Sequence, residues 1–195
     1  MPTSPTHDDI TACRRCPLWA NATQGVAGAG ARRARIMLVG EQPGDEEDRQ
    51  GLPFVGPAGQ LLRRALGDAG LDADDVFVTN AVKHFKWEPR GKRRLHKTPA
   101  QKEIAACHAW LDEELAAVRP AVIVALGATA LGALTGRKMT IADARAAQLV
   151  HDSGARLVAT YHPSAALRAP DKARREELYD IIVADLVRAR KLAAG

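Results

Sequence analysis

The 195-residue sequence lacks any long hydrophobic segment. No apolar run approaches the roughly 20 residues that a membrane-spanning helix needs. The first ten residues, MPTSPTHDDI, contain neither the basic segment nor the apolar segment of a secretory signal. We therefore expect a cytoplasmic protein that has no membrane partner.

Cysteine is also scarce. The chain has three cysteines, which cannot all pair with one another, so a disulfide framework is excluded. Cys13 and Cys16 are separated by two residues, and Cys107 lies far along the chain. This grouping is typical of metal ligands, and we expect the thiols to work in the reduced state.

Repeats, low-complexity segments and linkers are absent as well. Apolar residues make up 46% of the chain and charged residues 26%, which is the composition of a globular protein rather than a disordered one. A chain of this length buries a substantial core without disulfides. The sequence therefore predicts a single domain over residues 1–195.

A dinucleotide-binding loop is a further missing feature. The glycine-rich stretch GVAGAGARRA, residues 25–34, precedes the first predicted strand. A dinucleotide fingerprint follows a strand and opens a helix, so this stretch is interpreted as a loop. We expect no nucleotide cofactor.

Apolar runs and helical periodicity alternate along the chain. Four continuous apolar runs have the pattern of strands buried on both faces: 35–40, 75–82, 121–127 and 156–162. Helical segments are predicted at 57–71, 98–118, 127–136 and 171–192, the second with Thr98 as its N-cap. This alternation predicts an α/β protein, a three-layer α/β/α domain with a central, mainly parallel four-stranded sheet.

Positive charge is concentrated in one segment. The chain carries a net charge of +5, and the segment RGKRRLHKTP, residues 90–99, holds five basic residues and no acidic one, so the rest is neutral overall. A local excess of this kind favours a binding surface for a polyanion. A solvated basic loop is the alternative.

Unusual polar residues follow three of the predicted strands. GEQPGDEED follows the first, NAVKHFKW and the basic segment follow the second, and HPS follows the fourth. Ligands of open α/β sheets bind beyond the carboxyl ends of the strands, so these clusters are expected to share one crevice.

The first cluster begins a long segment, 40–59, that we interpret as irregular. Gly40 gives it a tight backbone from which Glu41, Gln42 and Asp45 are expected to face a ligand. An acidic surface loop is the alternative. Phe54 is an unusual aromatic residue in such a loop and has the properties of a platform for a planar base.

Five motifs together resemble one known family. GEQPG, GLPFVGPAGQLL, TNAVKHF, KRRLH and HPSAALR, in this order and spacing, are similar to the uracil-DNA glycosylase superfamily near its iron–sulfur family 4. KRRLH together with GEQPG resembles the UdgX branch, whose members become covalently trapped on uracil-containing DNA. The similarity extends from about Cys13 to the final helix.

The resemblance implies roles for the residues of the pocket. Asn80 would pair with uracil O4 and N3–H through its amide, which offers both a donor and an acceptor. Phe54 would stack on the flipped base, and Gly40 is a further candidate for substrate binding. His162 would donate to uracil O2 as charge grows there. Ser164 belongs to the same motif as His162, and Arg168 would contact phosphate. The alternative for Asn80 is capping of the strand end, and the alternative for His162 is a structural role.

The resemblance also assigns the chemistry at the sugar. Glu41 would stabilise the sugar cation, and Asp45 is a second candidate. Gln42 stands where family 4 commonly has alanine, so the position of a hydrolytic water is in doubt. His96 would attack C1′ in place of water. Neighbouring cations such as Lys92, Arg93 and Arg94 would hold phosphates and disfavour protonation of the ring.

A metal centre is implied by the same comparison. Family 4 has a cysteine where this chain has His84, which predicts a 4Fe–4S cluster held by Cys13, Cys16, His84 and Cys107. On spacing alone, structural zinc is the direct competitor. The cluster is expected to fix the N-terminal segment against the DNA-binding face.

The leading interpretation is a uracil-DNA glycosylase that excises uracil from DNA and becomes bonded through His96 to C1′ of the abasic sugar. The alternatives are a hydrolytic family 4-type enzyme, a non-catalytic uracil-DNA-binding module and an iron–sulfur redox protein. The expected partner is uracil-containing DNA, single- or double-stranded. We expect a monomer in a bacterial-type cytosol, associated with the nucleoid.

Overall fold

A six-stranded sheet forms the centre of the protein. The structure is a computed structural model, and residues 4–195 are described. Within that range the strands are β1 (Ala29–Gly30), β2 (Ile36–Gly40), β3 (Phe77–Asn80), β4 (Trp87–Arg90), β5 (Arg93–His96), β6 (Val122–Leu126), β7 (Leu149–Val150) and β8 (Arg156–Thr160). β4 and β5 form a separate two-stranded hairpin.

The order of the large sheet is β1-β3-β2-β6-β8-β7. β2 pairs in parallel with β3 and β6, and β6 pairs in parallel with β8. These four strands are the predicted ones. The predicted number of strands is nevertheless wrong, because β1 and β7 add two-residue antiparallel edges.

Helices cover both faces of this sheet. In the described range they are α1 (His7–Thr11), α2 (Asp45–Gln50), α3 (Pro57–Asp68), α4 (Gln101–Val118), α5 (Ala128–Thr135), α6 (Ile141–Ala146), α7 (Pro163–Leu167) and α8 (Lys172–Ala194). α3 and α8 pack on one face, and α4, α5 and α6 on the other. The predicted three-layer class with a mainly parallel sheet is therefore confirmed. None of the described helices has the length and apolar character to cross a membrane.

The two hydrophobic layers follow from the alternation of side chains along each strand. In β2, Ile36 and Leu38 belong to the core shared with α3 and α8, whereas Met37 and Val39 belong to the core shared with α4 and α5. All four are buried. Burial on both faces explains why the parallel strands are continuous apolar runs in the sequence.

Four local predictions were wrong. The segment 40–59, interpreted as irregular, contains α2, and the glycine-rich stretch 25–34 contains β1. The basic segment 90–99 is not a loop, because most of it forms the hairpin of β4 and β5. Gly91 occupies the tight turn with φ of +59°, a conformation that suits glycine. α4 begins at Gln101 rather than near Thr98, with Ala100 as its N-cap.

Candidate active site

A cavity of about 730 Å³ opens at the carboxyl edge of the parallel strands. The crevice predicted from the polar clusters is therefore present. The residues singled out from the sequence that line it are Glu41, Gln42, Phe54, Asn80, His96, His162, Ser164 and Arg168. Asp45, Lys92, Arg93 and Arg94 are not among the lining residues.

Gly40 lies against Phe54 and Asn80, which line the cavity, but it is not itself a lining residue. A Cβ at Gly40 would collide with the amide oxygen of Asn80 and lie 2.7 Å from Cζ of Phe54. Glycine is therefore required by close approach, and its absent side chain lets the ring and the amide come together. Asn80 is only 3% exposed, so its amide lies in a buried part of the cavity wall.

Phe54 has a strained backbone that its neighbours hold in place. Its φ of +55° lies in the left-handed region, which is unusual for a bulky residue. Gly59 packs directly on the Phe54 carbonyl, where a Cβ would not fit. Glu47 stabilises the segment between Gly44 and Gly56, which contains Phe54. Its two carboxylate oxygens accept hydrogen bonds from the backbone N–H groups of Gly44 at 3.0 Å and Gly56 at 2.8 Å.

A buried ion pair supports the backbone at Asn80. Nζ of Lys83 is completely buried, lies 2.7 Å from Oε2 of Glu114 and donates to the backbone carbonyl of Asn80 at 2.8 Å. Thr79 accepts from the same ammonium and donates to Glu114. The other Glu114 oxygen accepts from the N–H of Gly28 at 2.8 Å. Both charges are therefore compensated by several hydrogen bonds.

His162 is held as a neutral hydrogen-bond donor. Its Nδ1 accepts from the backbone N–H of Ser164 at 3.1 Å, so the ring proton belongs on Nε2. Burial lowers the pKa of His162 to about 4, although the carboxylate of Glu41 acts in the opposite direction. The ring stacks with Phe54 at a centroid distance of 6.1 Å. A neutral imidazole that carries its proton on Nε2 therefore lines the cavity beside Phe54.

Glu41 contacts two side chains from different elements. Its Oε1 lies 3.2 Å from Nε2 of His96, and its Oε2 accepts a short hydrogen bond from the hydroxyl of Thr129. Burial alone would raise the pKa of Glu41, but the hydrogen bonds from His96 and Thr129 and the charges of His96 and His162 lower it overall. The sequence indicated basic neighbours for His96 and did not predict this carboxylate, which contacts its ring.

Gln42 fastens the hairpin to the sheet. Its amide NH₂ donates to the carbonyls of Lys86 at 3.2 Å and Lys97 at 3.1 Å, and its carbonyl accepts from the N–H of Lys86 at 3.0 Å. Gln42 is 6% exposed, so these bonds are shielded from water. Because Lys86 and Lys97 flank the two strands, Gln42 sets the position of His96 beside Glu41.

The basic residues of the hairpin divide into two groups. Arg94 is turned inward, where its guanidinium lies 2.5 Å from Asp45 and 2.6 Å from Asp48. Asp45 is thus paired with Arg94 and does not line the cavity. Lys92 and Arg93, by contrast, are exposed at the hairpin tip. The tip therefore offers positive charge to a polyanion, while Arg94 and Asp45 stabilise the hairpin.

The predicted cysteine ligands lie in or beside one small apolar cluster that contains Leu18, Val82 and Ile104. Cys16 and Cys107 pack in the same small apolar cluster. Sγ of Cys13 accepts from the indole N–H of Trp110, and Sγ of Cys107 accepts from the N–H of Lys83, both at 3.3 Å. Burial raises the pKa of Cys107 to about 11 in spite of the nearby Lys83 ammonium, so a cation is needed to hold its thiolate at neutral pH.

The fourth predicted ligand has an unused nitrogen. Within residues 4–195, Nε2 of His84 is buried and has no hydrogen-bond partner. A buried polar atom without a partner is costly, and a bound metal would satisfy it. Burial lowers the pKa of His84, which keeps the imidazole neutral as a ligand requires. Three thiols and this nitrogen therefore fit a metal centre chemically.

Among the described residues, no group of three or more histidine, cysteine or carboxylate side chains forms a ready-made metal site. The choice of an iron–sulfur cluster rather than zinc at these four residues therefore stays a prediction.

Comparison with known proteins agrees with this geometry. The profile of the family described as "Uracil DNA glycosylase superfamily" matches residues 27–187. The chain belongs to this superfamily. A type-4 uracil-DNA glycosylase of Thermotoga maritima is 40% identical over 93% of this chain and 89% of its own length. One from Sulfurisphaera tokodaii is 34% identical over 95% and 82%, and a type-5 enzyme of Pyrobaculum aerophilum is 35% identical over 77% and 70%.

Several residues of this glycosylase-superfamily site were missed in the sequence. Thr129 lies in the first turn of α5, which follows β6, and the rule that ligands bind beyond strand ends could have identified it. Glu47 accepts from Gly44, three residues before it, and from Gly56, nine residues after it. The Lys83–Glu114 pair gave no such signal, because its members are 31 residues apart in sequence.

Proposed function

We propose that the protein excises uracil from DNA and that His96 then becomes bonded to C1′ of the abasic deoxyribose. The observation that carries this proposal is the 3.2 Å contact between His96 and Glu41 at a cavity that also contains Asn80, Phe54 and His162. Membership of the superfamily, and relatives named type-4 uracil-DNA glycosylases, support the excision step.

Recognition of uracil follows from the donor and the acceptor of the Asn80 amide. The Asn80 amide matches the O4 and N3–H edge of uracil, whereas cytosine offers N4–H₂ and an unprotonated N3 at the same edge. The ring of Phe54 supplies a stacking surface for the extruded base. Arg168, at the cavity, and the exposed Lys92 and Arg93 supply charge for the DNA phosphates.

Cleavage of the glycosidic bond develops negative charge on the base, and His162 is the hydrogen-bond donor for that charge. As the bond between C1′ and N1 of uracil breaks, its electron pair moves onto the base, and negative charge grows on O2. The imidazole of His162 is neutral, and its Nε2–H can donate a hydrogen bond that stabilises this charge. The positive charge that develops on the sugar is stabilised by the carboxylate of Glu41.

His96 then completes the reaction. With the ring proton on Nε2, the lone pair of Nδ1 forms a bond with the electron-poor C1′, which makes the imidazole cationic. Glu41, in contact with Nε2, accepts the ring proton and restores a neutral imidazole. Gln42 prepares this step by holding both ends of the hairpin, so that the ring is positioned before DNA binds.

A 4Fe–4S cluster held by Cys13, Cys16, His84 and Cys107 is part of this proposal. When bound, it would supply a structural link between the N-terminal segment and the body of the protein rather than a redox step. Cys107 would be positioned by the N–H of Lys83, and Cys13 by the indole of Trp110.

The test uses a single-stranded oligonucleotide with one uracil, mixed with the intact protein and run on a denaturing gel. A band that resists heating, and that is absent when thymine replaces uracil, supports the proposal. Free abasic DNA without that band supports the alternative of a hydrolytic type-4-like enzyme. Absence of both products, with DNA still bound under native conditions, supports a binding module.

A further inference from the structure

Thr129 holds the carboxylate that contacts His96. Its hydroxyl donates to Oε2 of Glu41, which leaves Oε1 directed at Nε2 of His96. Each carboxylate oxygen of Glu41 therefore has its own partner. Loss of either partner would free the carboxylate to rotate about its terminal torsion, which is a soft one.

The hydroxyl of Thr129 has no local role in its helix. α5 has Gly127 as its N-cap and no side-chain cap hydrogen bond. Thr135 in the same helix shows the usual behaviour, because its hydroxyl donates back to the carbonyl of Leu131 at 2.8 Å. Thr129 instead directs its hydroxyl across the cavity to a different strand end.

The backbone places Thr129 with little freedom. The N–H of Gly127 donates to the carbonyl of Thr160 at 2.9 Å, which ties the start of α5 to the end of β8. Gly127 has φ of +92° and packs closely on the Cβ of His162. β2, which carries Glu41 just beyond its end, pairs directly with β6, which leads into α5. The distance between Thr129 and Glu41 is thus fixed by the sheet.

We propose that Thr129 is a positioning residue that fixes the carboxylate of Glu41 against His96 and thereby sets the rate at which His96 is joined to the sugar. This inference rests on the proposed function for its effect on rate. The relay runs from the Thr129 hydroxyl through Glu41 to the imidazole, in the manner of a third group that orients a base.

The hydrogen bond from Thr129 also affects the pKa of Glu41. The titratable groups that face Glu41 are His96 from β5 and His162 at the start of α7. Both remain when Thr129 is changed, so removal of the hydroxyl isolates its own contribution. Without that donor, burial raises the pKa of Glu41 toward or above its ordinary value, and the carboxylate is lost at a higher pH.

The experiment compares Thr129→Val, which removes the hydroxyl and keeps the shape, with Thr129→Ser, which keeps the hydroxyl. Thr135→Val is the control for loss of a hydroxyl elsewhere in α5. The rate of the heat-stable adduct is measured with excess protein and a single-stranded uracil oligonucleotide between pH 5 and 9. Thr129→Val should slow it about tenfold, equivalent to about 1.4 kcal/mol. Its acid limb should move to higher pH, while the Ser variant and the control behave as wild type.

A second measurement separates this inference from the proposed function. The Glu41 carboxyl carbon is followed by ¹³C NMR against pH in the free protein, with Glu41→Gln for assignment. A higher midpoint in Thr129→Val than in wild type is expected, whether or not DNA becomes attached. An unchanged midpoint overturns the role of Thr129. If the wild type forms no adduct, the proposed function fails and the NMR midpoint alone decides the role of Thr129.

Discussion

Oε1 of Glu41 lies 3.2 Å from Nε2 of His96, although the two residues belong to separate parts of the fold. Glu41 follows a central strand of the sheet, whereas His96 ends the second strand of the hairpin. The contact explains why a histidine is present in so basic a segment. The ring has a carboxylate partner, and that pair faces the cavity where a nucleotide would lie.

Gln42→Ala should loosen the hairpin and slow attachment more than excision. The change removes three hydrogen bonds to the backbone, worth about 1 kcal/mol each, so His96 loses its fixed position. Amide hydrogen exchange at Lys86 should become faster, and adduct formation should fall about tenfold or more. Gln50→Ala, a change on the exposed face of α2, is the matched control. Wild-type exchange at Lys86 in Gln42→Ala would contradict this role.

Lys83→Met should destabilise the protein strongly. It leaves the carboxylate of Glu114 buried without its cation, which costs about 3–5 kcal/mol. The double variant Lys83→Met/Glu114→Gln removes both charges and should recover much of that loss. Thermal unfolding of the three proteins at one pH checks the prediction. A double variant less stable than Lys83→Met would show that the charges are not coupled in this way.

His162 should remain neutral well below the usual range of histidine. Its pKa is about 4 in the folded protein and about 6.5 when unfolded, so the unfolded chain takes up a proton first as the pH falls. The stabilising effect of the neutral ring is complete above pH 6.5 and is lost between pH 6.5 and 4. That loss amounts to at most about 3–4 kcal/mol. Histidine ring NMR, assigned with His162→Gln, should give a midpoint near pH 4; a midpoint near 6.5 would contradict the buried donor.

His84→Ala should reduce bound iron and weaken visible absorbance, because it removes the fourth ligand of the proposed cluster. His84→Cys should retain both, since thiolate is the commoner cluster ligand. His108→Ala is the matched control, because His108 adjoins Cys107 in sequence but pairs with Asp112 on the exposed side of α4. Elemental analysis of the purified proteins for iron, sulfide and zinc decides the question. Full iron in His84→Ala would remove His84 from the ligand set.

The parallel strands were predictable because each is a buried apolar run with polar residues at its end. The carboxyl-edge rule then predicted that Glu41, Asn80 and His162 share one crevice. The edge strands β1 and β7 were missed because two residues are too few for any periodicity.

The hairpin was missed for a different reason. Its sequence is dominated by basic residues, and its order depends on distant partners. Arg94 is neutralised by Asp45 and Asp48, and Gln42 holds both ends. Such pairings across about 50 residues of sequence leave no local pattern. The same holds for Thr129, whose contact with Glu41 exists only once the strands are adjacent.

The most direct test of the central claim is the intact mass of the protein after reaction with a uracil-containing oligonucleotide, for wild type and His96→Ser. The wild type should gain the mass of the oligonucleotide less that of free uracil, and peptide mapping should place the attachment on His96. His96→Ser should gain no mass, while His151→Ser, a change at another histidine, should react as wild type. An adduct that persists in His96→Ser would contradict the account.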